Sequence, residues 1–233
     1  MALSGQLGIP PSAPPVKSDS ADLMDLLADW LRALHEFSVE AVVVLGPDPF
    51  GRMDDRQVVA ASPTRLFDAA RSLAQSSDFG ARWRHADAPL VAWQHIAKSD
   101  PNQVQPWRTQ WLAHGFQTVV RVAFPLPAER AFECFMFSPR ALHDRTEAAA
   151  LAWSALNIWP SVRRALVRLR SPLTPREVEC LALAFEGLTA RATATRLACS
   201  ERTVNYHLGN AMAKLQADNK MAAIQRACWI GAL

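Results

Sequence analysis

The sequence predicts an α+β protein in two parts. An N-terminal α-β-α sandwich on an antiparallel sheet is followed by a small all-α domain of four helices. Three observations carry this reading. Over the first 160 residues, short β-branched runs in hairpin-like pairs alternate with stretches of helical apolar spacing. Residues 173–233 hold four capped helical patterns and no strand signal. The charge divides at the same place: residues 163–233 carry eleven Lys/Arg against five Asp/Glu, a surplus of six in a chain of net charge +3. A basic end on an acidic body fits a nucleic-acid-binding module joined to something that does not bind nucleic acid.

The elements follow in order. Pro10, Pro11, Pro14 and Pro15 mark residues 1–20 as an extended, disordered arm. Leu23, Leu26, Leu27, Trp30, Leu31 and Leu34 share one face of a helix over 21–37. VEAVVVLG (39–46) and QVVAA (57–61) read as strands around a Pro/Gly break, and 62–77 as a helix. APLVAW offers a weaker strand, and 104–115 a short helix stopped by Gly115. FQTVVRVAFPL and AFECFMFS make a hairpin around a PAER turn. A long helix over 141–159 closes the first domain, with Pro160 expected to end or kink it. The domains are therefore an arm at 1–20, a sandwich at 21–160 of the kind built by PAS and GAF sensors, a linker at 161–172 and a helical domain at 173–233.

Composition excludes several functions. No apolar run of 18 residues exists, so no membrane span is expected, and the first residues lack a secretory pattern. Cys134, Cys180, Cys199 and Cys228 are widely spaced and form no zinc pattern, which predicts reduced thiols in a cytoplasm, with no metal and no cofactor. Nucleophile elbow, phosphate loop and zinc-protease motifs are absent, so no enzyme is expected.

The last third is the most informative. In SPLTPRE, Thr174 caps a helix, Pro175 takes the first position, and Glu177 reaches back to the cap. The helix that follows is expected to bury Val178, Leu181 and Phe185 and to stop at Gly187. Residues 190–198 form a second helix with Ala194, Leu197 and Ala198 inward, and Ser200 caps a third over 201–215. Two short helices across a tight turn, the second well capped, are the form of a helix-turn-helix. On a helical wheel Val204, Leu208, Ala211 and Leu215 make one stripe. Arg202, Tyr206, Gly209 and Ala213 lie opposite, with Asn205 beside them.

That outer face suits a DNA major groove, which admits one helix. Asn205 has the donor–acceptor pair that adenine presents, and Arg202 fits guanine or phosphate. Ser200 and Thr203 sit at the helix N-terminus, where free amides favour a phosphate oxygen. Tyr206, the chain's single tyrosine, is either a base or phosphate contact or an ordinary surface residue. His207, between the two faces, is either a phosphate contact or a packed histidine.

The stretch LTPREVECLALAFEGLTARATATRLACSERTVNYHLGNAMAKLQADNKMAAIQRACWIGAL resembles the C-terminal helix-turn-helix of LuxR-type transcriptional regulators. The matching signposts are LTPRE, Gly187, Thr203-Val204, His207-Leu208, Lys214-Leu215, Asn219 and Gly231. The resemblance implies that the third helix reads DNA, with Asn205, Tyr206 and Gly209 facing bases. It also implies a homodimer on an inverted repeat of double-stranded DNA. The fourth helix commonly supports dimer contacts, which makes Ile224, Ala227 and Trp229 candidates for the dimer face. Asn205 stands where lysine is frequent, and Gly209 where a longer residue is common.

HGFQTVVRVAFPL is similar to a strand of the autoinducer-binding domain of quorum-sensing members. No tyrosine precedes Tyr206, so a standard acyl-homoserine lactone is not the expected ligand. Trp83, Trp93, Trp107 and Trp111 are candidates to line a pocket for an apolar or aromatic small molecule, with core packing as the other reading. Arg121 is expected to face outward, because buried charge is rare. The alternatives are a pair with Glu133 or a contact to an acidic ligand group. A regulator without a ligand, one controlled by a protein partner, and a heterodimerising anti-regulator remain open readings.

Overall fold

The computed structural model of the protein describes residues 23–51, 55–76, 78, 90–97 and 105–233. The expected arm at 1–20 and Trp83 lie outside the described residues. The fold class is α+β, as the sequence predicts.

Helix α1 (Leu23–Ala33) leads through a short 3-10 turn into β1 (Ala41–Pro47) and β2 (Arg56–Ser62). Helix α2 (Phe67–Ala74), β3 (Val91–His95) and α3 (Pro106–Ala113) follow, then β4 (Thr118–Leu126), β5 (Arg130–Ser138) and α4 (Arg145–Arg170). The strands form a sheet in the order β2-β1-β5-β4-β3, every neighbouring pair antiparallel. Both faces of this sheet are covered, so its strands read as nearly continuous apolar runs, and β1 is buried along its whole length.

Strand alternation divides the sandwich into two cores. Val42, Val44, Val120, Val122, Phe132 and Met136 point to one face, where α1 and α4 add Leu27, Trp30, Leu151 and Ala155. Trp30 ties the two helices together by donating its indole N–H to Ser154 Oγ at 2.9 Å. Ala41, Val43, Val119, Phe135 and Phe137 point to the other face, against Leu73 of α2 and Trp107 and Trp111 of α3.

Helix α4 corrects the predicted boundary. Asp144 caps it, accepting from the amides of Thr146 and Glu147. The helix then runs unbroken through Pro160 to Arg170. Proline in a helix interior costs about 3 kcal/mol in a lost hydrogen bond and a ring clash. The turns beyond it bury Val162 and Leu166 in the first core, and that burial outweighs the proline. Pro160 itself faces solvent. The connection to the helical domain is therefore residues 171–174 only, not 161–172.

The helical domain comprises α5 (Pro175–Phe185), α6 (Ala190–Arg196), α7 (Glu201–Lys214) and α8 (Lys220–Trp229). Its core gathers Cys180, Leu181, Ala194, Val204, Leu208, Ala211, Leu215, Ala223, Ile224 and Ala227. Phe185 departs from expectation: it is 61% exposed in the last turn of α5. Ala198 is exposed as well, because it takes the left-handed backbone (φ 52°) that turns α6 into α7. Among the described residues no helix is long and apolar enough to cross a membrane.

Candidate functional site

The helix-turn-helix is built by caps. The capping box at α5 is complete: Glu177 N–H donates to Thr174 Oγ1 at 3.3 Å, and Thr174 N–H donates to Glu177 Oε2 at 2.7 Å. Lys214, at the end of α7, donates to the same carboxylate oxygen at 2.9 Å and so pins α7 to the start of α5. Burial alone would raise the Glu177 carboxyl. The hydrogen bonds from Lys214 and the Thr174 amide outweigh burial and hold it below the usual glutamate range.

The turn closes with Cys199 N–H donating to Ala194 O at 3.0 Å. Ser200 then caps α7, its Oγ accepting from the Thr203 amide at 3.0 Å and lying 2.8 Å from the Thr203 hydroxyl. On α7 the stripe of Val204, Leu208, Ala211 and Leu215 is buried, as the wheel predicts. Arg202, Asn205 and Ala213 are exposed, and Tyr206 is 66% exposed. His207 and Gly209 are half-buried at the margin of this face. The Tyr206 and His207 rings meet edge to face at 5.7 Å between centroids. A Cβ added at Gly209 would meet nothing within 4 Å. The helix therefore presents a guanidinium, an amide and a phenol, then a flat stretch that lets another surface come close.

The candidate dimer face is corrected by burial. Ile224 and Ala227 belong to the core of the helical domain. Trp229 docks on the sandwich: its indole N–H donates to Pro127 O at 3.0 Å, and the Arg130 guanidinium lies 3.8 Å from its ring centre. Burial closes Ile224 and Ala227 to a second copy, and Trp229 is half-buried. On α4, Trp153 and Leu156 are 54% and 46% exposed.

In the sandwich, Trp107, Trp111 and Arg121 lie on the same face of the sheet, and Trp93 is on the edge strand β3. Trp107 and Trp111 are fully buried against the sheet. Trp111 stacks on Phe137 at 3.5 Å and donates to Ala69 O at 3.2 Å. Trp107 donates to Asp78 Oδ2 at 3.0 Å, an oxygen that also accepts from Arg108 Nε at 2.8 Å. Trp93 lies on β3 at the end of the sheet, 37% exposed.

Arg121 does not face outward. It is 2% exposed on the same sheet face as Val119, and donates to Glu133 Oε1 at 2.6 Å. Arg56 donates to Glu133 Oε2 at 3.0 Å and to Ser76 O at 2.6 Å. A buried guanidinium is tolerated here because a carboxylate and carbonyl oxygens meet it. Sequence reasoning missed Asp78, Arg108 and Arg56. Charged residues inside an apolar face leave no signal in periodicity.

The comparisons with known proteins agree with this geometry. Residues 171–227 match the family described as bacterial regulatory proteins, luxR family. The chain is 30% identical over 148 residues to the transcriptional activator protein LuxR of Aliivibrio fischeri, covering 59% of this chain and 57% of that protein. It is 52% identical over 58 residues to the transcriptional activator protein VanR of Vibrio anguillarum, covering 25% and 24% of the two chains. The chain thus spans little more than half the length of the curated relatives it matches. A crystal structure of Escherichia coli SdiA shares the fold with a TM-score of 0.51 at 19% identity, over 92% of this chain and 93% of that one. SdiA has also been solved in complex with octanoyl-rac-glycerol. Residues 171–227 are thus a helix-turn-helix domain of the luxR family of bacterial regulatory proteins.

Proposed function

We propose that the protein is a cytoplasmic transcriptional regulator that binds double-stranded DNA as a homodimer on an inverted repeat. One observation carries this reading. The N-terminal half of α7 turns Arg202, Asn205 and Tyr206 to solvent, opposite a fully packed stripe. Asn205 reads an adenine edge, while Arg202 takes a guanine or a phosphate. Ser200, Thr203 and His207 hold the backbone, and Tyr206 meets a thymine methyl or a phosphate. Gly209 lets the helix sit close to the groove. The second copy docks along α4 through Trp153 and Leu156.

The N-terminal sandwich serves as the sensor of a small apolar or aromatic molecule that is not a standard lactone. Octanoyl-glycerol is the natural first probe. Control without a ligand is a second reading, favoured by one observation: Trp107 and Trp111 are buried against the sheet and hydrogen-bonded to Asp78 and Ala69 of the fold itself.

Selection of bound fragments from genomic DNA, followed by binding of Asn205→Ala, tests the reading. The variant loses about 1–3 kcal/mol on the selected sequence and discriminates less at one base position. Equal weakening on selected and random DNA removes Asn205 as a reader.

A further inference from the structure

A cleft of about 370 Å³ opens where the helical domain meets the sandwich. Its walls come from both: Phe50 after β1, Phe132 of β5, Leu166 and Arg170 of α4, Leu215 after α7, and Trp229 of α8. That volume lies within the range of small-molecule sites, and apolar walls with a few polar groups are their usual lining. Phe50 is 52% exposed, an aromatic ring left at the opening.

The charged groups at this junction are mostly committed. Lys214 is held by Glu177. Arg226 donates to Leu215 O at 2.7 Å and also to Gln216 O. Arg130 donates to Asp48 O and Gly51 O while covering Trp229. Arg170 differs. No described residue hydrogen-bonds or pairs with it, and the Asp48 carboxylate acts on it only through space. Its side chain reaches solvent, yet enough of it faces the cleft for desolvation to pull its pKa below the ordinary arginine range, with Asp48 opposing. A cation partly stripped of water, with no hydrogen-bonded partner among the described residues, gains from an anion.

We propose that this cleft binds a small molecule with an apolar, preferably aromatic, body and one anionic head, a carboxylate or sulfonate. The head sits on Arg170, and the body lies among Phe50, Phe132, Leu166 and Trp229. The site is separate from the sheet face that holds Trp107 and Trp111. Both domains supply its walls, so the occupant gains its full contacts only when the domains are docked. Binding and docking are therefore linked, and the ligand stabilises the docked arrangement by an amount that grows with the logarithm of its concentration over its Kd.

The test uses the full chain and two dyes of similar body. One is 8-anilinonaphthalene-1-sulfonate, which brightens in apolar surroundings; the other is N-phenyl-1-naphthylamine, which lacks the sulfonate. The sulfonate dye binds one site per chain. Arg170→Met weakens it about tenfold or more, the loss of one charge-assisted contact, and leaves the thermal melt and the neutral dye unchanged. Phe50→Ala weakens both dyes. No saturable binding of the sulfonate dye overturns the proposal, as does either substitution leaving its affinity within about twofold of the parent.

Discussion

Two residues of the helical domain make sharp tests of how it is held and what it faces. Gly209 sits in mid-helix with open space around it, so it costs helix stability without relieving a clash. Gly209→Ala should raise stability by about 0.5–1 kcal/mol in urea unfolding. The added methyl should at the same time weaken DNA binding if the proposed reading holds, in which this face enters the groove. A variant that is more stable and binds as before would show that close approach is not used there. Glu177 supplies a pH signature. Its folded pKa lies below its unfolded value of about 4.3, so its contribution is present above that pH and fades as pH falls through the folded value. Urea midpoints taken from neutral pH down to about 3 should drop less steeply in Glu177→Gln than in the parent. Arg121 shows what residue-level reading misses. Alternation places it with Val119 and Ala123, but only the register that sets Ala123 opposite Glu133 brings the carboxylate beside it.

At the level of elements, the four C-terminal helices were legible because each begins with a side chain that reports its own position. Thr174, Thr189, Ser200 and Asn219 all accept a hydrogen bond from a backbone amide of the first turn. The hairpin of β4 and β5 was legible from its two β-branched and aromatic runs. Helix α4 was not. Local rules stop a helix at proline, and the sequence does not display the sandwich core that pulls the chain past it. The outer face of Pro160 makes the cost measurable: Pro160→Ala should stabilise the protein by about 1–3 kcal/mol, read as a higher urea midpoint. The family resemblance placed the dimer face on α8. A resemblance points to a helix and does not tell which of its apolar positions the domain's own core takes, as it takes Ile224 and Ala227.

In the whole molecule, the exposed apolar positions of α4 and the docked end of α8 assign different work to the two longest-range contacts. Trp153 and Leu156 lie outside every core cluster, so in the proposed dimer charge there would disturb association and leave folding alone. Trp153→Arg with Leu156→Glu should convert a dimer to a monomer in sedimentation, with an unchanged thermal melt. A double variant that still sediments as a dimer would move the interface elsewhere. The docked end of α8 holds the two domains of one chain together: Trp229 rests on Arg130 and the Pro127 carbonyl, and Arg163 donates to Gly231 O at 3.0 Å.

The short connection after α4 sets a limit on geometry. Four residues, fully drawn out, reach no more than about 14 Å. Half-sites on a duplex lie about 34 Å apart along its axis. In the proposed dimer, two such tethers would not cover that distance by slack alone, so the far ends of the two α4 helices would supply part of the span. The sandwich would then work as a ruler: the separation at which its helices emerge would dictate which operator spacings the protein can straddle.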